Sequence, residues 1–578
     1  MNPDRFLALI SCSETPRSQF DAIISAGRRH GLEPALLRGR LCVLVHEDAA
    51  SKAADDGAGL IVGASFPRSR IGRIAGAASG GPSRSVFFSD MWGGFVAFRI
   101  DDRQQSIDVT RDPSGMAPCL VARQGGAIWL FSDLETAIAA GLSVPAMDWT
   151  ALGRYLAFPH VPTQETCLAG VEKVLPGMRL RISRDGSMSQ ICAWSPWAYT
   201  RNDSRIRRYD DAVRLLRAEV LSSVGAWAAR SSHIMLELSG GLDSSIIAAC
   251  LRDLGASFSC VTFATDDPAG DERRQAGLVA SALGARLHEV KLDAAGASLA
   301  PRSRQRTPAP QAISWRAMID SGVRGAIDEA GADMLFSGGG GDNVFCYLTT
   351  AAPAADALRA FGPGPCFARA ARDVATLHRA SVWRAARYAL RKVYWAKPKL
   401  WPRNIAFLMP GVAPASPPAH LWFTENTGAP PGKLEHTASI ASAVSVSDGG
   451  ERDLDVQVCY PLLSRPLIEL CLGIPSWMWV SGGRNRAVAR DAFSNLLPAE
   501  TIARRTKGDL TGLIAGIYRE HKSEIEALLM EGRLAREGIL DREAVFACMR
   551  QAGPFPDASF TQLVTLAGVE YWIQSFGA

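Results

Sequence analysis

The sequence predicts an α/β protein in two parts, stacked antiparallel β-sheets over residues 1–200 and a doubly wound parallel sheet with added helices over residues 205–578. Three observations carry this. The first third alternates short apolar runs with turns: "LCVLVHE" (Leu41–Glu47), "SVFFSD" (Ser85–Asp90), "GFVAFRID" (Gly94–Asp101), "SIDVTRDPSG" (Ser106–Gly115) and "AIWLFSD" (Ala127–Asp133). Gly, Pro and Asp punctuate these runs, as they do antiparallel strands joined by short turns. From His233 onward apolar strands alternate with helical stretches, the rhythm of a parallel sheet: "HIMLEL", "IIAACLRDLG", "FSCVTFATDD", "DERRQAGLVASALG" and "ARLHEVKLD". Between the two parts, "AWSPWAYTRNDS" (Ala193–Ser204) breaks the strand pattern. Then Ala212, Leu215, Leu216, Val220 and Val224 recur at helical intervals, so the boundary falls near residue 200. Beyond about Ala351 the chain reads as mainly helical.

A length of 578 residues exceeds what one hydrophobic core usually serves. With 47% apolar and 21% charged residues the composition is that of an ordinary globular protein. A net charge of +5 is mild for this length, and no RRM-like, zinc-finger or basic-zipper pattern accompanies it, so nucleic acid is not an expected partner. Twelve cysteines lie scattered with neither a C-x-x-C pair nor Cys/His ligand spacing, which argues against a zinc site and a disulfide framework. A reducing cytoplasm is the expected location. The start "MNPDRFLALISCSETP" imitates a secretion signal, but its apolar run covers only Phe6–Ile10 and reads as a first buried strand. The longest charge-free run, Asn404–Thr424, contains four prolines and cannot be a continuous bilayer helix, so no membrane span is expected.

Chemistry concentrates in two glycine loops. "HIMLEL" runs straight into "SGGLDSS" and then into a helix. A strand, a Gly-rich turn and a helix N-terminus form an anion site, because the turn's amides and the helix dipole face the same point. The loop lacks the Walker pattern and its lysine, so it is a different phosphate grip. Ser239, Gly240, Gly241, Ser244 and Ser245 offer amides and hydroxyls, whereas the carboxylate of Asp243 needs a cation before it can meet a phosphate. Mg2+, which prefers carboxylate and phosphate oxygens, fits that role. "MLFSGGGGDNVF" (Met334–Phe345) follows another strand, and a parallel sheet brings its Asp342 beside the first loop as a second metal carboxylate.

"LSGGLDSS" resembles the pyrophosphate loop of the ATP-pyrophosphatase fold, and the surrounding pattern resembles the asparagine synthetase superfamily. The likeness extends through "RDPSGMAPCL", "LFSDLETAI" and "LAFPHVPTQETCLAGVEKVLPGMRL" to "YPLLSRPLIEL" and "ARDAFSNLLPAETIARRTKG". It implies a degenerate class II amidotransferase-like β-sandwich ahead of an ATP-pyrophosphatase domain. It also implies an AMP-forming carbon–nitrogen ligase that adenylates a carboxylate with ATP and Mg2+. By the same resemblance Leu238, Thr262, Phe263, Ser337 and Gly338 contact the nucleotide, Lys507 neutralises pyrophosphate, and Arg490 is a further catalytic candidate.

Two departures bear on the substrate. Amidotransferase members of the superfamily use an N-terminal cysteine to release ammonia, but this chain starts Met1-Asn2-Pro3 and its first cysteine, Cys12, is internal, so no glutaminase activity is expected. Gly339 stands where asparagine and β-lactam synthetases carry a glutamate in "SGEG". The run "GGGGDNVF" resembles lasso-peptide cyclases, which join a peptide's N-terminal amine to an Asp or Glu side chain. That resemblance implies a precursor peptide as substrate, with a leader-cleaving protease and a leader-recognition element as partners. The alternative is an asparagine synthetase-like or β-lactam synthetase-like ligase acting on a small molecule.

Other residues have bland readings beside functional ones. His288 is an ordinary strand position or a proton shuttle. Asp271 and Glu272 complement a helix dipole or assist the metal. The Arg- and aromatic-rich segment 368–403 reads as a solvated helical face with a packed stripe, and Trp477 and Trp479 as core or as cavity lining.

Overall fold

The computed structural model describes residues 4–12, 17–68, 90–201, 206–300, 306–310, 314–395, 399–424, 428–449, 452, 454–506, 508–551 and 559–577. The first part contains β1 (Phe6–Ser11), β2 (Leu32–Arg38), β3 (Leu41–His46), β4 (Ser51–Ala53), β5 (Gly59–Pro67), β6 (Met91–Asp101), β7 (Ser106–Arg111), β8 (Leu120–Gln124), β9 (Ala127–Phe131), β10 (Val171–Lys173), β11 (Met178–Ile182) and β12 (Met188–Cys192). They form two antiparallel six-stranded sheets, ordered β10-β8-β9-β1-β3-β2 and β12-β11-β7-β6-β5-β4. Strand β1 shows why "FLALI" is apolar throughout. Phe6, Ala8 and Ile10 point between the sheets, onto Val62, Phe98 and Val109. Leu7 and Leu9 point the other way, onto Phe20 and Ile23 of the helix Arg17–Arg28. Successive side chains of a strand alternate faces, so a strand covered on both sides is apolar at every position. Of the anticipated strand Ser85–Asp90 only Asp90 falls within the described residues.

The second part is organised around β13 (Ile234–Glu237), β14 (Phe258–Ala264), β15 (Arg286–Lys291), β16 (Met334–Phe336) and β17 (Gln457–Cys459), in the order β15-β14-β13-β16-β17. All four pairings are parallel. The chain steps outward from β13 to β14 and β15, then returns to the other side of β13 as β16. Where the winding reverses, the crossovers leave a crevice at the carboxyl ends of the strands, the usual ligand position in such sheets. Both glycine loops leave strands at this point. The sheet is apolar on both faces, with Leu236 and Phe336 packed on Val220 and Ile246, and Met235 and Leu335 packed on Ile319 and Val323. Each such side chain contributes about 1.5–3 kcal/mol on burial.

Helices make up most of the chain beyond Ala352. Pro365–Leu377 and Val382–Tyr394, in the Arg-rich segment, pack through Ala370, Ala371, Val374, Ala385 and Ala389. Strand β17 is the exception, adding a fifth strand inside this helical part. It adjoins the first part, since Gln457 Nε2 donates to Asp4 Oδ2 at 2.8 Å. A second tie runs from the Trp194 indole N–H to Glu469 at 2.8 Å, where Arg465 also donates. No helix among the described residues is long and apolar enough to cross a membrane.

Candidate functional site

Strand β13 ends in Glu237, and the next residues turn sharply into the helix Leu242–Asp253. Gly240 makes the turn at φ +63°, and a Cβ there would lie 2.4 Å from the backbone of Gln275, so both conformation and space demand glycine. Ser244 Oγ accepts from Ser239 N–H at 3.3 Å and lies 3.2 Å from Ser239 Oγ, which clusters two hydroxyls at the helix start. First-turn amides have no intrahelical acceptor, so the helix start presents N–H groups to the crevice.

The second loop packs against the first. A Cβ on Gly338 would stand 2.9 Å from Ser244 N, one on Gly339 3.0 Å from the ring of Tyr460, and one on Gly341 2.5 Å from Asp243 Cγ. Gly340 has φ +83° and abuts Leu463. Four side chains are given up so that this loop can lie on its neighbours, and the approach carries Asp342 to Asp243. Arg486 shows how close the two carboxylates come: its Nη1 donates to both oxygens of Asp243 at 3.0 Å and to Asp342 Oδ1 at 2.5 Å. Two carboxylates converging on a single positive atom are spaced for one cation. Mg2+ coordinates few protein carboxylates and takes its remaining ligands from water and phosphate, so the pair fits it. Among the described residues no cluster of three or more His, Cys, Asp or Glu offers a fuller metal cage.

Around this pair lies a cavity of about 420 Å³, within the range of roughly 300–1,000 Å³ that small-ligand clefts occupy. Leu238, Ser239, Gly241, Asp243, Ser244, Phe263, Ser337, Gly338 and Asp342 of the sequence-derived candidates line it. Gly240 turns the chain behind it. Ser245 and Thr262 are buried in the packing beneath. Lys507 lies outside the described residues; Thr506 lines the cavity, and the Gly508 N–H donates to Glu272 at 3.2 Å.

Arg490 is not brought to the cavity. Its guanidinium donates to the carbonyls of Asn485 at 2.8 Å and Arg504 at 3.0 Å, to that of Ile502, and to Asn485 Oδ1 at 2.7 Å. Burial, with Arg486 and Arg484 nearby, pushes its pKa down to about 10, so it stays charged at neutral pH. It braces the segment that carries Arg486 and Arg504. Sequence reasoning missed the arginines that do line the cavity, Arg316, Arg452, Arg486, Arg504 and Arg505. Arg486 adopts φ +51°, a left-handed conformation costing a non-glycine residue roughly 1–3 kcal/mol. The only signal was its setting, "SGGRNRAVAR", where glycines precede a helix start. At the cavity floor Arg452 Nη1 donates to Glu237 at 2.6 Å, and Arg452 also pairs with Asp320 at 2.6 Å. Burial alone would raise the Glu237 pKa, but Arg452 and Ser337 hold it below the usual carboxylate value.

The remaining candidates lie elsewhere. His288 sits on β15 with Nδ1 3.3 Å from Glu329, and Asp271 pairs with Arg273 at 2.7 Å. Glu272 does line the cavity. Trp479 is fully buried, and Trp477 meets Phe361 edge-on.

A second, larger cavity of about 1,040 Å³ shares Asn343 and Tyr347 with the first. Among the described residues its walls combine Leu400, Trp401, Pro402, Val393 and Leu434 with Arg359, Lys392, Lys399 and a single acid, Glu435. Glu435 accepts from Lys392 at 2.5 Å and from Thr350 at 2.6 Å.

Fold and site together define an α/β protein in which an amidotransferase-like β-sheet domain precedes a parallel-sheet domain with a carboxylate pair and an anion loop at its switch point. A family model described as asparagine synthase matches residues 216–574, and one described as glutamine amidotransferase domain matches residues 86–193. The chain belongs to the asparagine synthase family. It is 25% identical over 193 residues to glutamine-hydrolyzing asparagine synthetase 1 of Bacillus subtilis (strain 168), covering 33% of this chain and 30% of the relative. Over 223 residues it is 25% identical to amidase chyE of Penicillium rubens, covering 36% of this chain and 32% of the relative. These matches thus span about a third of the relatives' length. Among solved structures, the allosteric regulatory enzyme of purine biosynthesis aligns at TM-score 0.21 and 11% identity over 50% of this chain and 80% of that one. Glutamine phosphoribosylpyrophosphate amidotransferase from B. subtilis with ADP and GMP aligns at TM-score 0.21 and 12% identity over 50% and 81%.

Proposed function

We propose that the protein is an ATP-dependent lasso-peptide cyclase, an AMP-forming ligase that closes a macrolactam between an Asp or Glu side chain and the N-terminal amine of a trimmed precursor peptide. The observation that carries the reading is the cavity of about 1,040 Å³ that shares Asn343 and Tyr347 with the cavity around the carboxylate pair. Its size lies at the upper end of small-ligand sites. Its apolar walls suit peptide side chains, and its three cations against one acid suit a carboxylate-bearing substrate. Gly339 supports it further: a Cβ there would stand 3.0 Å from the Tyr460 ring, so a glutamate like that of small-substrate relatives would require the ring to shift by a few tenths of an ångström.

In this reading the peptide carboxylate attacks the α-phosphorus of ATP, forming an acyl-adenylate and releasing pyrophosphate. The α-amine then attacks the acyl carbon, forming the amide and releasing AMP and a proton. Asp243 and Asp342 would hold Mg2+, which when bound would offset the charge of the polyphosphate. Ser239, Ser244 and the first-turn amides cradle the leaving pyrophosphate, with Arg504, Arg505 and Lys507 as counter-charges. Tyr347 and Asn343 form the passage along which the acyl carboxylate reaches the nucleotide. Because both reacting groups belong to one bound peptide, positioning supplies the effective molarity. A leader-cleaving protease and a leader-recognition element complete the system by freeing the amine.

The test is incubation with Mg-ATP and a trimmed cognate precursor, read by intact mass. The expected product is lighter by one water, while the N-acetylated precursor stays linear. Cyclisation of the acetylated peptide, or consumption of aspartate and ammonia alone, would replace this reading by a small-substrate amide ligase.

A further inference from the structure

At the heart of the site, a guanidinium and a metal ion would have to share one position. Arg486 meets both aspartates through Nη1, and its Nε is buried without a partner among the described residues. A guanidinium has no lone pair for a metal and carries charge of the same sign. A Mg2+ ion held by both carboxylates would need their oxygens at about 2.0–2.1 Å, and Nη1 stands between those oxygens. Pairing of the aspartates with Arg486 and with Mg2+ therefore exclude one another.

Resting on the reading of this crevice as a Mg-ATP site, we propose that Arg486 is an internal counter-ion that keeps free Mg2+ off Asp243 and Asp342 and gives way only to metal arriving with polyphosphate. The logic is an exchange of partners. Free Mg2+ would have to strip a partly buried guanidinium from two carboxylates and offer it nothing in return. Metal-bound polyphosphate replaces the cation between the aspartates and supplies phosphate oxygens, strong acceptors for a guanidinium. The guanidinium already rests against a second partner: its Cζ lies 5.4 Å from the ring centre of Tyr347, on the wall shared with the second cavity. The backbone gives it a fixed pivot, since Arg486 holds its left-handed conformation at the start of the helix Ala487–Ala492 while its carbonyl accepts from Arg490 N–H at 3.0 Å. Movement is thus confined to the side chain. Metal and nucleotide then bind with strong mutual dependence, each raising the affinity of the other by the same factor. The positioning role of Arg486 is to prevent a metal-loaded, nucleotide-free site.

The experiment titrates the full chain with Mg2+ by calorimetry, with and without α,β-methylene-ATP, for the wild type, Arg486→Asn and Arg486→Lys. Asn tolerates the left-handed backbone, and Lys keeps the charge. The wild type should show weak Mg2+ binding alone and binding at least about tenfold tighter with the analogue. In R486N, Mg2+ alone should bind roughly tenfold to a hundredfold tighter than in the wild type, the span of one lost charge-assisted contact, and the dependence on analogue should shrink accordingly. R486K should restore the exclusion. Equal Mg2+ affinity in the wild type and R486N, or undiminished coupling in R486N, overturns the proposal. Should R486N fail to fold, wild-type Mg2+ binding that ignores the analogue overturns it, and coupling shared by the wild type and R486K supports it. Failure of the analogue to bind in every arm would sink the nucleotide reading, while the Mg2+ comparison would still decide the counter-ion.

Discussion

Gly341 has no room for a methyl group: its Cβ would fall 2.5 Å from Asp243 Cγ and 2.8 Å from Leu462 Cδ1. The Asp243 carboxylate cannot retreat without leaving Arg486. We expect Gly341→Ala to lower stability by about 1–3 kcal/mol, as overpacking does, and to reduce pyrophosphate exchange by an order of magnitude or more. Gly339→Ala needs only a few tenths of an ångström from the Tyr460 ring, so its effect should be the milder of the two; thermal unfolding and exchange rates on the two variants check the ranking. The glycine run was legible as a place of close approach, but the sequence does not say to what. The structure supplies the answer: the loop lies on Ser244, Tyr460, Leu463 and Asp243. Arg486 and Arg490 show the same limit. They stand four apart in one stretch, and only the left-handed start of the helix decides that the first faces the aspartates and the second the backbone.

Among the elements, the helix Pro431–Gly449 supports the short helix Gly341–Val344 that carries Asp342. Asn343 Nδ2 donates to Ser439 O at 2.9 Å, and the fully buried His436 has Nε2 3.0 Å from Val344 O. Burial, together with Lys433, pushes the His436 pKa down to about 3. Because the unfolded chain binds this proton near pH 6.5 and the folded chain does not, His436 favours folding fully above pH 6.5, and that contribution is lost as pH falls toward 3. Between pH 6.5 and 5 the loss is about 2 kcal/mol. Urea midpoints at the two pH values should therefore differ more in the wild type than in His436→Gln; equal differences would refute the assignment. Elements with strong patterns were legible: β1 and β13 as apolar runs, β14 as a strand, and Val382–Tyr394, whose Trp383 remains 86% exposed, as a helical face with a packed stripe. Strand β17 was not, because three residues give no periodicity and its place depends on pairing with β16.

For the whole molecule, the order of strands and helices predicted a parallel sheet that brings the two glycine loops side by side, since crossover rules leave few other topologies. The second cavity was invisible in sequence. Its walls come from His160 in the first part and from segments between Asn343 and Ala443, brought together only by tertiary packing. The proposed function reads these adjoining cavities as a peptide cavity beside a nucleotide crevice, and adenylation of a peptide carboxylate is its central claim. The direct measurement is exchange of labelled pyrophosphate into ATP by the full chain with Mg2+ and a trimmed acidic precursor. Exchange should require the peptide's Asp or Glu side chain, persist when its N-terminus is acetylated, and fall by about a hundredfold or more in Asp342→Asn. Formation of ADP and phosphate, or exchange driven by free aspartate and indifferent to the peptide, would contradict the account.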